Sequence, residues 1–186
     1  LVAREMDPGN VDLSRLAVVG NVGDMMARED CGLVGPAREI ALEGAAAGCI
    51  EVISRDLNCY GTSTRPLHVC LAYNDDPYIA GITNNVNGAL RFLQKLGIEL
   101  QTPDKRWRVW EELLPEDKRL VTSSLVQQLI SCGERADRLF SESYLFPGEV
   151  ARTPLRNAQE FATLLNACGR WTRPSVASAI CRGDRG

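Results

Sequence analysis

A short apolar run that ends in a glycine turn constrains the start of this 186-residue chain more than any other feature. Residues 16–20 read Leu-Ala-Val-Val-Gly, and a turn through Asp24 follows them. A continuous apolar run of this length predicts a strand buried on both faces, as the strands of parallel sheets are. A second strand is predicted over residues 50–56. We therefore expect an α/β fold that begins with part of a parallel sheet.

Apolar residues at helical spacing predict that most of the remaining chain is helical. The first of these helices begins near Pro36, and its apolar stripe is made almost entirely of small residues, so we expect it to approach its neighbour closely. The stripe consists of Ala37, Ile40, Ala41, Gly44, Ala45 and Gly48. Further helices are predicted over residues 86–96, 116–132, 157–168 and 174–180.

The composition is that of a globular chain, with 45% hydrophobic and 24% charged residues. No apolar run approaches the roughly 20 residues that cross a bilayer, and no secretory signal opens the chain, so we expect a cytoplasmic protein without a membrane partner. Because Leu1 stands where a complete protein begins with methionine, we also expect a segment of a longer polypeptide.

The cysteines and the single histidine limit the chemistry available. Seven cysteines are widely spaced without a C-x-x-C pair, which argues against a disulfide framework or a zinc module and indicates small buried side chains. A Ser-His or Cys-His nucleophile would have to use His68, which we expect to be a core residue. The composition thus argues against a self-sufficient hydrolase.

Charge is distributed unevenly along the chain. The net charge of −3 does not by itself indicate a nucleic-acid partner. Residues 151–186, however, carry six arginines against Glu160 and Asp184. These arginines form either a solvated face or a surface that contacts phosphates, and they are Arg152, Arg156, Arg170, Arg173, Arg182 and Arg185.

Asp24 is the first candidate for a functional residue. Ligands of open parallel sheets gather at the carboxyl ends of strands, which is where the predicted fold places this carboxylate. A hard oxygen ligand at that point would suit Mg²⁺ or Mn²⁺. The alternative is an aspartate that caps the helix after it. The surrounding glycines match neither the dinucleotide fingerprint nor the P-loop.

Three further groups have a functional and a structural interpretation. Arg65 lies in a hydroxyl-rich loop, where it would clamp a phosphate or anchor the loop to a carbonyl. The Asp75-Asp76 pair before a proline would hold a cation, although ordinary turn chemistry is favoured. Trp107 and Trp110 alternate with arginines as in a stacking surface for single strands, although tryptophans packed inward are favoured.

These residues resemble a known family. Residues 16–24 resemble the fourth motif of the DHH phosphoesterases, an apolar strand followed by a glycine turn and an aspartate. The run over 155–170, with Arg173-Pro174 and residues 181–184 after it, is similar to the archaeal RecJ-like branch of that family. Between them, shorter matches occur in the expected order at residues 64–67, 76–79 and 88–93, so the resemblance spans nearly the whole chain.

This resemblance implies a Mn²⁺- or Mg²⁺-dependent exonuclease that removes nucleotides from single-stranded DNA or RNA in replication or repair. In such enzymes two metal ions activate water against a phosphodiester. Asp24 would be one of the metal ligands. If the chain contributes to substrate binding, Arg65, Arg170 and Arg173 are the residues expected to contact nucleic acid. Archaeal members are also associated with the GINS replication complex.

The family's first three motifs, which include an Asp-His-His triplet, are absent, as is the glycine-rich motif of its C-terminal domain. We therefore expect an internal fragment without a complete catalytic site, which binds metal weakly and cleaves nothing alone. Residues 1–60 would end the DHH domain. Residues 61–150 would be a mainly helical connection, and residues 151–186 would begin the C-terminal nucleic-acid-binding domain.

Three other functions remain as alternatives. One is a catalytically lapsed replisome scaffold that binds GINS or the helicase. Another is a different DHH enzyme, such as an oligoribonuclease or a cyclic-dinucleotide phosphodiesterase, against which the run over 157–170 argues. The last is a helical interaction domain unrelated to this family.

Overall fold

The computed structural model describes residues 2–26 and 32–185. The chain forms two compact units, each with a hydrophobic core of its own. The terminal unit combines Leu1–Ser54 with Glu142–Gly186, and the central unit is Arg55–Ser141.

Residues 2–26 and 32–185 form ten helices and strands, together with short 3₁₀ turns. In chain order they are α1 (Val2–Met6), α2 (Ser14–Gly23), α3 (Gly35–Ala46), β1 (Glu51–Leu57), α4 (Leu67–Ala72), α5 (Val86–Lys95), α6 (Pro115–Ser131), β2 (Phe140–Leu145), α7 (Ala158–Arg170) and α8 (Pro174–Cys181). Among the described residues, no helix combines the length and the apolar character needed to cross a membrane.

Residues 16–20, predicted to be a strand, form the middle of helix α2, so that prediction is wrong. Val18 and Val19 are buried in the core of the terminal unit, and α2 contacts both α3 and α7. A five-residue apolar run fits a buried helix as well as a buried strand. Here the helices α3 and α7 contact the run, and within the described ranges the strands β1 and β2 pair only with each other.

The close approach predicted for the small-residue stripe is confirmed. Ala41 is fully buried on α3, and a Cβ atom added at Gly44 would lie 2.3 Å from the Ser14 hydroxyl oxygen on α2. Side chains larger than hydrogen at position 44 would therefore hold the two helices further apart.

Strands β1 and β2 pair in a two-stranded sheet. The backbone N–H of Asn58, just after β1, donates to the carbonyl of Leu139, just before β2, at 2.9 Å. The end of one strand thus meets the start of the other, and the pair is antiparallel. The strand predicted over residues 50–56 is confirmed, whereas the described parts of the chain contain no parallel sheet.

The central unit is mainly helical, as predicted. Helices α5 and α6 match the predicted ranges, and each is followed by a glycine with a left-handed backbone, Gly97 at φ +73° and Gly133 at φ +77°. Its core is formed by eighteen buried residues, among them Leu57, Leu67, Leu71, Ile79, Ile82, Leu93, Leu125, Leu129 and Leu139.

Helix α7 is also confirmed, including its cap. The Asn157 side chain accepts hydrogen bonds from the backbone N–H groups of Gln159 at 2.9 Å and Glu160 at 3.4 Å. The apolar face of α7 then buries Phe161 and Ala162 in the same core as α2.

The structure groups the last segment differently from the predicted domains. Residues 151–186, expected to begin a separate domain, belong to one compact unit with residues 1–54. The reason is the apolar face of α7, whose Ala162 approaches α2 so closely that a Cβ at Gly23 would lie 3.0 Å from it. The assignment of these segments to domains of a phosphoesterase stays a prediction.

The cysteines are free thiols wherever they are described, and Cys31 lies outside the described residues. Cys59 and Cys70 are buried, as expected, whereas Cys132 is exposed. The other three described cysteines are half-buried. The prediction that most cysteines are buried is therefore confirmed only for Cys59 and Cys70.

Candidate functional site

Asp24 lies immediately after α2, with its side chain exposed. Its backbone N–H donates to the carbonyl of Gly20 at 3.0 Å, which is the last helical hydrogen bond and makes Asp24 the C-cap of α2. Asp24 therefore follows a helix and not a strand. It does not cap the next described helix either, because the N-cap of α3 is Val34.

The surroundings of Asp24 decide what it can bind by itself. A carboxylate after the last turn lies at the negative end of the helix dipole, and a cation is favoured at that end. Across residues 2–26 and 32–185, however, no three side chains of histidine, cysteine, aspartate or glutamate lie together as metal ligands do. A two-metal centre needs several such ligands. The described residues do not fit a metal centre on their own, and Asp24 as a ligand stays a prediction.

A buried polar network anchors residues 32–34 to strand β2. The backbone N–H of Leu33 donates to the Tyr144 hydroxyl at 2.8 Å, and Glu142 accepts from both Tyr144 and Arg38. Burial, together with the hydrogen bond to Glu142, raises the pKa of Tyr144. This phenol stays protonated and serves as a structural bridge between β2 and residues 32–34.

Arg65 folds back onto the aromatic rings of its own unit. Its guanidinium lies 4.7 Å from the ring centroid of Tyr60 and 5.6 Å from that of Tyr73. The loop is held by a backbone hydrogen bond of 2.8 Å from Arg65 to Gly61. The anchor is thus aromatic and not the carbonyl contact considered for this loop. Contact of Arg65 with nucleic acid stays a prediction.

Arg170 and Arg173 lie on either side of the turn between α7 and α8. Arg170 is the last residue of α7, Arg173 is the N-cap of α8, and both are exposed. Other arginines of this region have structural contacts. Arg156 donates to the Phe146 carbonyl at 3.1 Å, and Arg185 donates two hydrogen bonds to the Glu149 carboxylate. The arginine-rich segment thus divides into anchoring and exposed side chains.

Sequence reasoning missed Trp171, which lies between these two exposed arginines. The residue is 78% exposed, the largest exposure of an aromatic residue among those described. The apolar spacing of α7 continues through Trp171, which follows Cys168 by three residues and Leu164 by seven, and so indicated burial. The signal for a binding residue was the run Arg-Trp-Thr-Arg-Pro. The tryptophans that the sequence did single out lie elsewhere.

Trp107 and Trp110 pack within the central unit. The indole N–H of Trp110, which is 2% exposed, donates to a carboxylate oxygen of Asp56 at 2.6 Å. Trp107 contacts His68, with 4.5 Å between ring centroids. The interpretation as inward-packed tryptophans is therefore confirmed, and these two rings do not form a surface for stacking.

His68 and the Asp75-Asp76 pair also have structural roles. His68 is buried on α4, its Nδ1 has no hydrogen-bond partner among the described residues, and burial lowers its pKa. Asp76 precedes a cis proline and pairs with Arg138 at 2.9 Å. These contacts match a core histidine and an ordinary turn.

Comparison with known proteins relates the central unit to one family of domains. Residues 59–140 match the model of the DHH-CID domain, and these bounds nearly coincide with the central unit, Arg55–Ser141. The chain is also 28% identical over 184 residues to the uncharacterized protein MJ0831 of Methanocaldococcus jannaschii. That alignment covers 99% of this chain but 37% of the relative. The central unit is thus similar to a DHH-CID domain, and nearly the whole chain is similar to part of a longer archaeal protein.

Proposed function

We propose that this chain is part of a longer RecJ-like phosphoesterase that hydrolyses single-stranded nucleic acid with Mn²⁺ or Mg²⁺. The observation that carries the proposal is the DHH-CID match over a compact unit that is flanked by two segments of one other unit. The similarity of residues 155–170 to the RecJ-like branch supports that branch in particular.

In this proposal the residues of the chain bind and orient, and the metal centre is completed by residues beyond it. Bound metal ions would supply an activated water and offset charge on the phosphodiester. Asp24 would hold one cation at the end of α2. Arg170 and Arg173 would contact phosphates, because exposed guanidinium groups bind phosphate oxygens in a bidentate manner.

The test compares this chain with the natural polypeptide extended at both ends. Release of nucleotides from end-labelled single-stranded DNA is measured with Mn²⁺. We expect only the longer protein to cleave, and Asp24→Asn to abolish the cleavage. Asp12→Asn is the matched control, since Asp12 is an exposed carboxylate just before the other end of α2.

Three outcomes would count against parts of the proposal. Cleavage by the short chain alone would contradict the role of ligands beyond it. Equal losses in Asp24→Asn and Asp12→Asn would contradict the metal role of Asp24. A longer protein that cleaves nothing yet retains a replication partner such as GINS would favour the catalytically lapsed scaffold.

A further inference from the structure

We infer that Trp171 is a stacking platform for one base of a single-stranded nucleic acid, with Arg170 and Arg173 contacting the phosphates beside that base. The inference rests on the proposed function for its ligand class, and it adds a binding residue that neither the sequence motifs nor the comparisons assign.

The first support is the exposure of the indole. Trp171 is 78% exposed, although the α7 residues Phe161 and Ala162 are buried in the core. A tryptophan ring carries a large apolar surface that ordinarily contributes to a core or an interface. Among the described residues no ring or cation contacts the indole of Trp171. Its face is therefore free to accept a ligand.

The second support is the ordered backbone that holds the ring outward. Trp171, Thr172 and Arg173 each donate a backbone hydrogen bond to α7, to Ala167 at 3.0 Å, Gly169 at 3.1 Å and Cys168 at 2.8 Å. Thr172 adopts a left-handed backbone at φ +51°, and Pro174 begins α8 directly afterwards. The ring is carried by a tight turn between two helices, so little backbone ordering is required when it binds.

The third support is the charge around the ring. Arg170 and Arg173 are exposed, and neither forms an ion pair within the described part of the chain. The run from Ala167 to Val176 contains no acidic residue. Exposed aromatic rings between cations are typical of single-strand binding, in which bases stack and the backbone is held electrostatically. A protein partner would instead favour a wider apolar patch around the tryptophan.

The experiment measures binding of fluorescein-labelled oligothymidylate by the longer natural polypeptide, without divalent metal, so that cleavage does not contribute. We expect Trp171→Ala to weaken binding about 5- to 150-fold, the range for loss of one stacked base. Trp171→Phe keeps an aromatic face and should retain most of the affinity. Tyr78→Ala is the matched control, because it removes another exposed aromatic ring and should leave binding unchanged.

The salt dependence separates stacking from charge. Arg170→Gln and Arg173→Gln should each reduce the slope of log K against log salt concentration by about 0.7, as expected for one phosphate contact on a single strand. Trp171→Ala should leave that slope unchanged. Addition of oligothymidylate should also quench tryptophan fluorescence in the unmodified protein but not in Trp171→Phe.

Each result decides between the inference and the function on which it rests. Unchanged affinity in Trp171→Ala, while the unmodified protein binds single strands, would overturn the platform and leave the proposed function standing. Protection of Trp171 from acrylamide in the free longer protein would identify a protein-covered surface and overturn the platform too. Absence of single-strand binding by the unmodified protein would overturn both.

Discussion

Replacement of Gly44 by alanine tests the closest helix contact in the terminal unit. A Cβ at this position would lie 2.3 Å from the Ser14 hydroxyl oxygen and 2.5 Å from the Ile50 Cδ1 atom. Both distances are shorter than real Cβ contacts allow, and both neighbours are buried. To accept the methyl group, the Ser14 hydroxyl and the Ile50 side chain must both leave their present positions, or α2 and α3 must separate.

The magnitude follows from two opposing effects. Overpacking of a well-packed core costs about 1–3 kcal/mol. Alanine in place of glycine within a helix contributes up to about 1 kcal/mol in the other direction. We therefore expect Gly44→Ala to lower the free energy of unfolding by up to about 2 kcal/mol. For a unit of roughly 100 residues, this lowers Tm by up to roughly 16 °C.

Gly20→Ala is the matched control, because Gly20 lies within α2 and no heavy atom would come within 4 Å of an added Cβ. This variant should gain about 0.5–1 kcal/mol from helix propensity alone. Urea unfolding followed by circular dichroism, with calorimetry to separate the two units, measures both variants. Gly44→Ala as stable as Gly20→Ala would refute the reasoning.

Ser14→Ala adds a second test of the same contact. It removes only the clashing oxygen, which has no hydrogen-bond partner among the described residues. Combined with Gly44→Ala it should recover part of the lost stability, with a coupling energy of about 0.5 kcal/mol or more. Strictly additive effects would show that the two positions do not meet.

Three further predictions concern the central unit. Burial lowers the pKa of His68 from 6.5, so the unfolded chain binds a proton at this residue more readily than the folded chain does. The free energy of unfolding should therefore fall as the pH drops below about 6.5. In urea titrations at pH 5–7, His68→Phe should make this fall smaller. A parallel decline in both proteins would assign the effect to other groups. Trp110→Phe removes the hydrogen bond to the buried Asp56 carboxylate. In urea unfolding it should lower the free energy of unfolding by about 1–3 kcal/mol. A tryptophan-to-phenylalanine change at a position without such a hydrogen bond should not produce this loss. Residues 55–141 expressed alone should unfold cooperatively in calorimetry, because this unit has its own core, and a broad non-cooperative transition would contradict that independence.

Local signals in the sequence were sufficient to predict most helices. The cap at Asn157, the glycines after α5 and α6, and the helical spacing of apolar residues each act within a few residues, so they hold whatever the rest of the chain does. The stripe of small residues on α3 also predicted a close helix contact, since small side chains allow backbones to approach. Among the functional candidates, inward packing of Trp107 and Trp110 was the favoured interpretation, even though their alternation with arginines is that of a stacking surface.

Only the tertiary structure decided which neighbours each segment has. Residues 16–20 are apolar enough for a strand or a helix, and their contacts with α3 and α7 place them in a helix, so Asp24 ends a helix instead of a strand. The return of residues 142–186 to the first segment depends on contacts between residues far apart in the chain, which no local pattern records. The exposure of Trp171 was decided in the same way, because a tryptophan is buried or free according to what packs against it. Short-range geometry is thus determined by the sequence itself, whereas long-range burial emerges only when the whole chain is folded.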